Sequence, residues 1–340
     1  MSRLKTEAQR RTPTIADVAA QAGVSLATVS RVMNGNPKVD ETLAVRVRDA
    51  ALALGYTASP LARGLVLGKT QTIAVVVPDL GNPTFQGALR GISDHASREG
   101  YRVLVADSHE HADDERDLAI EARRRCDGVV LCAPRMPAEQ LAAVLPLLDP
   151  VVVVNRVPGG AEVPSVVADY GSGLSQILEH LYGLGHRRMA YLAGNSNAAS
   201  NTSRLAAIRD FGDAHEDARI DVTPCGVEFE DGHAAGDAIA NGPATAAVAF
   251  NDLVAMGLIS SLTELGVRVP QDISVTGFDD IPFARYTTPP LTTAAVPVEE
   301  LGGQAWERMW ALLNGRTPAS DHSFEPKVVR RASTGPVRGA

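Results

Sequence analysis

Cysteine is scarce in this chain. Its 340 residues hold three, Cys126, Cys132 and Cys225, an odd number without CxxC spacing, which excludes a disulfide framework or a cysteine zinc site and predicts reduced, mostly buried thiols. No apolar run approaches the roughly 20 residues of a membrane span, and the opening MSRLKTEAQRR is polar where a signal peptide would be apolar. A cytoplasmic protein without membrane contact is therefore expected. Catalytic signatures are missing as well. There is no G-x-S-x-G nucleophile elbow and no local Ser/His/Asp set. GLVLGKT, Gly64 to Thr70, is one residue short of a phosphate-cradling loop, has Arg63 where the first glycine belongs, and leads into a strand instead of following one. Gly171-Ser-Gly-Leu-Ser-Gln follows a strand and opens a helix, but Gln176 stands where a dinucleotide fingerprint needs a small residue. His109 and His111 lie in the acidic loop SHEHADDE, which reads as a metal loop or, more simply, a solvated one. No catalytic residue, no metal and no cofactor is expected, and the chain is read as a non-enzyme.

What is present is asymmetric. Hydrophobic residues make up 45% and charged residues 21%, the balance of a soluble globular protein, and the length suits two or three domains. The net charge of −8 hides a basic head: residues 1–70 carry ten Lys/Arg against five Asp/Glu, a net +5, which leaves −13 for the remainder. That division suits a DNA binder with a separate sensing domain, although a charged tail would look similar.

The stretch TIADVAAQAGVSLATVSRVMN, Thr14 to Asn34, reads as two short helices joined by a turn. Thr14 caps the first, with Ile15, Val18, Ala19 and Ala22 on one face; Gly23 supplies the turn; Ser25 caps the second, whose Val29, Val32 and Met33 point inward. Leu26, Ala27, Ser30, Arg31 and Asn34 are left pointing outward. Asp40 caps a third helix in which Leu43, Val47, Ala50, Ala51 and Leu54 close a small core before Gly55. Periodicity alone fits either a helical hairpin that only packs or a helix-turn-helix that pushes its second helix into a major groove. The run T-x-x-D-V-A-x-x-A-G-V-S-x-x-T-V-S-R-V-x-N, with a later L-G-Y, resembles the DNA-binding head of the LacI/GalR family of bacterial transcription regulators. The likeness continues, with gaps, almost to the C-terminus.

From Thr72 onward Val- and Ile-rich runs alternate with helix-length segments. IAVVVP, YRVLVAD, GVVLCA and VVVVN are strand candidates separated by helices near Thr84, Asp113 and Pro137. The pattern restarts after Ser165, where SVVAD, MAYLAG, TAAVAFN and ISVTGFD alternate with helices near Ser172, Ser203, Asp231 and Leu253, giving a second unit of similar size. Continuous apolar runs mark strands buried on both faces, hence parallel sheets covered by helices. Two doubly wound halves leave a cleft at the carboxyl ends of their strands. A last helix, Val298 to Leu313, and a final strand-like segment return to the two halves.

The expected fold is multi-domain: an all-α helix-turn-helix head plus an α/β two-lobed core, which resembles periplasmic sugar-binding proteins. The expected boundaries are a disordered tail at 1–13, the helix-turn-helix domain at 14–58, a hinge at 59–70 and a sensing and dimerisation domain at 71–333. Within the last, one lobe covers roughly 71–168 plus 298–325 and the other roughly 169–297 plus 326–333.

The resemblance implies residue roles. Thr14, Ser25, Leu26, Ala27, Thr28, Ser30, Arg31 and Asn34 fall on the DNA-reading element. Ser25 and the helix start suit a phosphate, and Leu26 and Ala27 stand where the family discriminates operators. Arg31 either reads guanine through its planar fork or clamps a phosphate. In SPLARGLVLGKT the family's hinge leucine, a minor-groove wedge, maps to Leu65, with Ala62 beside it and Ser59 near the helix start. A near-palindromic double-stranded operator and a homodimer follow; the absence of C-terminal leucine heptads gives no support for a coiled-coil tetramer. Matching the core places Phe85, Asn155, Arg204, Phe229, Asn251 and Asp279 around a small-molecule effector. Their chemistry suits a sugar, with a nucleobase or organic acid as alternatives. Asn251-Asp252 could instead cap a helix, and Asp279 could pair with Arg204. Ala206-Ala207 and Val296 depart from the family pattern. The expected function is a ligand-responsive, sequence-specific transcriptional regulator, in the first instance a repressor; a cytoplasmic sugar-binding module without regulatory DNA binding is the alternative.

Overall fold

Thr14 starts the first helix by a reciprocal cap. Its hydroxyl accepts from the Asp17 amide at 3.4 Å while the Asp17 carboxylate accepts from the Thr14 amide at 2.8 Å, so two of the donors a helix start leaves orphaned are satisfied. This helix, α1 (Ile15–Ala22), ends at Gly23 with φ +62°, a left-handed turn that glycine adopts without steric cost. Ser25 caps α2 (Leu26–Met33), accepting from the Thr28 amide at 3.2 Å. Asp40 caps α3 (Glu41–Leu54) through the Thr42 and Leu43 amides, and the Thr42 hydroxyl, followed by those amides, holds its carboxyl below the usual range. The three helices close on Val18, Val29 and Val47 with alanines between them. Ala44 takes the inward position expected of Leu43, which is only half-buried. Arg46 of α3 donates to the Ala22 carbonyl, placing a cation on the negative end of α1.

The computed structural model describes residues 13–33, 38–56, 69–159 and 162–337, and the chain divides into two compact units at Thr70/Gln71. The larger unit is α/β throughout. Its strands are β1 (Thr72–Val77), β2 (Arg102–Asp107), β3 (Gly128–Cys132), β4 (Val151–Val154), β5 (Ser165–Ala168), β6 (Arg188–Ala193), β7 (Arg219–Pro224), β8 (Ala246–Ala249), β9 (Ser274–Thr276), β10 (Thr293–Ala295), β11 (His322–Phe324) and β12 (Lys327–Val329). Its helices are α4 (Pro83–Arg98), α5 (Ala112–Arg125), α6 (Ala138–Val144), α7 (Tyr170–Gly183), α8 (Ala199–Ala214), α9 (Phe229–Ala234), α10 (Gly236–Ala240), α11 (Asp252–Glu264) and α12 (Val298–Leu313).

One lobe is a six-stranded parallel sheet ordered β11-β5-β4-β3-β1-β2; the other holds a four-stranded parallel sheet ordered β7-β6-β8-β9 and the antiparallel pair β10-β12. The apolar runs occupy the middle of each sheet: β3, β4 and β8 are buried at every residue. One expectation needs correction, and one strand was not foreseen. SVVAD does not open the second sheet; β5 pairs with β4, Val154 opposite Val166, and with β11 on its other side, and so belongs to the first. RIDVTP, which carries no apolar run, is nevertheless strand β7, because an edge strand needs a backbone partner and only one covered face.

The chain crosses back late. α12 lies on α4 at a distance only glycine permits: a Cβ at Gly91 would sit 2.0 Å from the Glu299 carbonyl oxygen. Trp306 and Trp310 of α12 stack on each other, and Tyr101, just after α4, meets Trp306 tilted and Trp310 edge-on. Then β11 joins the first sheet and β12 joins β10 in the second lobe. Both lobes are therefore assembled from segments distant in sequence.

Candidate functional site

In the head, α2 turns Val29 and Val32 inward and leaves Leu26, 53% exposed, with Ala27 and Arg31 on the open face. Thr28 and Ser30 are half-buried at its margins. Ser25 is exposed at the helix start, with its hydroxyl 2.9 Å from that of Thr28. Thr14 has its hydroxyl committed to Asp17 at 2.7 Å, so its side chain builds the cap. Asn34, Ser59, Ala62 and Leu65 lie outside the described residues.

In the core unit a cavity opens between the two lobes, and every residue lining it follows the carboxyl end of a strand, as an open α/β sheet demands. Its free volume is about 30 Å³, room for a couple of water molecules. A ring-sized ligand enters only if the lobes or the lining side chains move. Arg204 of α8 dominates the floor. It is 1% exposed, its guanidinium carbon lies 4.0 Å from the ring centre of Phe278, 4.4 Å from Phe250 and 4.7 Å from Tyr170, and its Nε and Nη1 have no hydrogen-bond partner among the described residues. The rings favour the cation electrostatically, but two buried N–H donors without acceptors are costly unless a ligand supplies oxygens. Burial pushes the Tyr170 hydroxyl well above its ordinary range, so it stays a neutral donor or acceptor.

Asp279 follows β9 with φ +102° and is 9% exposed. Its Oδ2 accepts from Thr84 Oγ1 at 3.0 Å, a bond from the start of α4 in one lobe to the other lobe. Burial raises its carboxyl above the usual range, against the lowering influence of Arg204 and Thr84. Asn155 and Asn251 also line the cavity, and each amide makes one bond to the protein through Nδ2 and one through Oδ1. Asn155 Nδ2 donates to the Tyr170 hydroxyl at 2.9 Å and its Oδ1 accepts from the Ala168 amide at 3.0 Å. Asn251 Oδ1 caps α11 at the Val254 amide, 2.9 Å, and its Nδ2 donates to the Val227 carbonyl at 2.8 Å. The cap is thus Asn251, whereas Asp252 inside the first turn is wholly buried and accepts from the Ile281 amide and the Thr293 hydroxyl.

Phe85 lines the cavity; Phe229 does not. Phe229 opens α9, 36% exposed, with its carbonyl against Gly257 of α11, and Val227 reaches the cavity in its place. Sequence reasoning missed Glu110, Arg135, Tyr170 and Phe250. Glu110 was hidden between His109 and His111 in the loop read as solvated or metal-holding; no metal-binding cluster occurs among the described residues. The three thiols are unpaired, and burial pushes Cys126 and Cys225 up to about 11 and Cys132 to about 12, which leaves them poor nucleophiles.

Two family models match the chain. The model described as bacterial regulatory proteins, lacI family, covers residues 14–59, and the periplasmic binding protein-like domain covers residues 178–334. The HTH-type transcriptional regulator GalR of Escherichia coli (strain K12) is 34% identical over 330 residues, covering 94% of this chain and 95% of the relative. Among solved structures, the lac repressor dimer bound to operator and the anti-inducer ONPF superposes with a TM-score of 0.84 at 25% identity, covering 96% of this chain and 100% of that one. A LacI family transcriptional regulator from Enterococcus faecium with bound ribose superposes with a TM-score of 0.71 at 25% identity, covering 78% of this chain and 100% of that one. The likeness to GalR runs through head and core alike, and with it the exposed α2 row and the two-lobed cleft identify this chain as a member of the lacI family of bacterial regulatory proteins, a ligand-responsive DNA-binding transcriptional regulator.

Proposed function

We propose that this regulator is a cytoplasmic homodimeric repressor that holds a near-palindromic operator and changes its grip when a sugar enters the cleft, and that it catalyses no reaction. The observation that carries the effector reading is Arg204: a guanidinium 1% exposed, caged by three rings, with two donors unpartnered beside a buried carboxylate. An empty core would be better served by an apolar side chain, because an unsatisfied buried donor costs roughly 1–3 kcal/mol. Hydroxyl oxygens of a polyol reaching Nε and Nη1 separately satisfy both donors, and Asp279 accepts from a hydroxyl. Phe85 packs on the ligand, while Asn155 and Asn251 hold Tyr170 and the Val227 turn in place. The solved relative with ribose supports the ligand class.

On the DNA side, Leu26 and Ala27 meet base edges, Arg31 reads guanine, and Ser25 with Thr28, Ser30 and Asn34 sets the helix on the backbone. Thr14 keeps α1 in register for that contact. Ser59, Ala62 and Leu65 carry the hinge role that the family resemblance implies, Leu65 as the minor-groove wedge. The lac repressor dimer on its operator supports the assembly. Effector binding shifts the lobes, alters the spacing of the paired hinges and lowers operator affinity.

Fluorescence anisotropy of the full chain on near-palindromic duplexes tests the reading. A subset bound far more tightly than random DNA at the same salt, and released on adding a pentose or hexose, is the expected result. Failure to bind any such duplex at low salt would overturn it, and tight binding that no sugar alters would remove the effector half.

A further inference from the structure

Glu110, in the turn after β2, is held in place more firmly than a solvated loop residue needs. Its backbone has φ +58°, a left-handed conformation uncommon for residues with a Cβ. Arg135, in the loop after β3, grips its carboxylate with a planar fork, Nε to Oε2 at 2.7 Å and Nη2 to Oε1 at 2.7 Å, while Nη1 donates to the Ala133 carbonyl at 2.7 Å. From the other lobe Asn195 Nδ2 donates to Oε2 at 2.9 Å. Both members of the ion pair line the cavity, and their side chains are 5% and 18% exposed.

The Glu110 carboxylate closes the Nε–Nη2 edge of Arg135, so an incoming anion meets no open fork on that edge, and two of the five guanidinium N–H groups remain. A carboxylate has about four acceptor positions, and the bonds above use three, leaving Oε1 able to take one more donor. The surroundings add negative charge: burial first, then Asp79, Asp231, Glu230 and Glu110 in that order, raise the Glu228 carboxyl.

We propose that Glu110 is an effector-binding residue that accepts a hydrogen bond from a hydroxyl of an uncharged ligand, that Arg135 is its positioning residue, and that this end of the cavity rejects phosphorylated or carboxylated ligands. This rests on the cleft being the effector site. A ligand hydroxyl on Oε1 joins a network already tied to both lobes through Asn195, so the same contact that selects the ligand also holds the cleft closed around it.

Calorimetric titration of the full chain with D-ribose and D-galactose, and with D-ribose 5-phosphate and D-galacturonate as charged counterparts, tests this. The expected result is binding of at least one uncharged sugar, with its charged counterpart at least about tenfold weaker. Glu110→Gln should lose about tenfold or more for the uncharged sugar, the worth of a hydrogen bond to a charged group, and should narrow the ratio between the two ligands. Glu110→Asp retains the charge and guards against simple misfolding; it should lose sugar affinity with the ligand-free melting temperature held. Arg135→Lys should narrow the same ratio, whereas a merely structural role would lower both affinities equally. Sugar binding that is lost in Arg204→Lys but unchanged in Glu110→Gln would overturn the assignment and leave the cleft reading intact. No binding by any of the four ligands would overturn both.

Discussion

Arg31 and Asp279 illustrate how differently two functional side chains are embedded. Arg31 projects from α2 into solvent, its backbone fixed by Val29 and Val32 on the opposite face. Arg31→Ala should therefore leave the fold intact and relax preference at one base pair of the half-site by about 1–3 kcal/mol, read by competition among single-substitution duplexes. A uniform loss across duplexes with a shallower salt slope would make it a phosphate contact instead. Asp279 is buried, and its raised pKa has a definite sign: the ionised form is disfavoured in the fold, so the cost is present above the folded value and relieved as pH falls through it. Asp279→Asn keeps an acceptor for Thr84 Oγ1 and suits the positive φ. It should raise the ligand-free melting temperature at pH 7, by a margin that shrinks as pH falls, while weakening sugar binding about tenfold or more. Both residues were legible in the sequence as candidates. Glu110 and Arg135 were not, because the fork that joins them spans 25 residues of chain and no local spacing announces it.

At the scale of elements, legibility followed apolar composition: β2 was readable as a strand although none of its residues is buried, against the expectation that such runs are covered on both faces. β1, β3, β4 and β8 are apolar throughout and were readable as strands, whereas β7 at a sheet edge shows five exposed residues in its six. The assignment of β5 to the first sheet depends on its pairing with β4, a tertiary fact. The same holds for the α4–α12 crossing. Nothing local in α4 demands Gly91; the demand comes from the Glu299 carbonyl more than 200 residues away. Gly91→Ala should cost about 1–3 kcal/mol through overpacking, despite the better helix propensity of alanine. Urea unfolding of the full chain measures this, and an unchanged or higher midpoint would show that the two helices yield.

At the scale of the whole molecule, the C-terminal segment closes the second lobe. Val275 donates to the Ser333 carbonyl at 2.9 Å and Val337 to the Leu184 carbonyl at 3.1 Å. His186, 2% exposed, bonds Thr245 Oγ1 at 2.9 Å through Nδ1 and the Gly335 carbonyl at 3.0 Å through Nε2. Burial lowers its pKa, the Gly335 bond opposes this and His180 adds to it; His180 is itself lowered by burial and by Arg330. A histidine depressed in the fold contributes stability that is complete above the unfolded value near 6.5 and is lost as pH falls through the folded value. Melting temperature should therefore fall below about pH 6.5, and His186→Gln should flatten that slope while lowering the midpoint at pH 7. An unchanged slope would place the pH sensitivity in other groups.

The sequence by itself determined the two kinds of local order in this protein. The capped, glycine-punctuated helices of residues 14–55 and the buried parallel strands from Thr72 onward depend on neighbours within a few residues, and so did the outward row on α2. The tertiary structure decided what the cleft contains. It tied Asn155 and Asn251 to the scaffold through one bond at each amide atom, left Phe229 outside, caged Arg204 in rings drawn from three separate segments, and set Glu110 in the grip of Arg135. The physical reason is that hydrogen-bond satisfaction and desolvation are settled by whichever groups folding brings within about 3 Å, and those groups come from strand ends far apart in the chain.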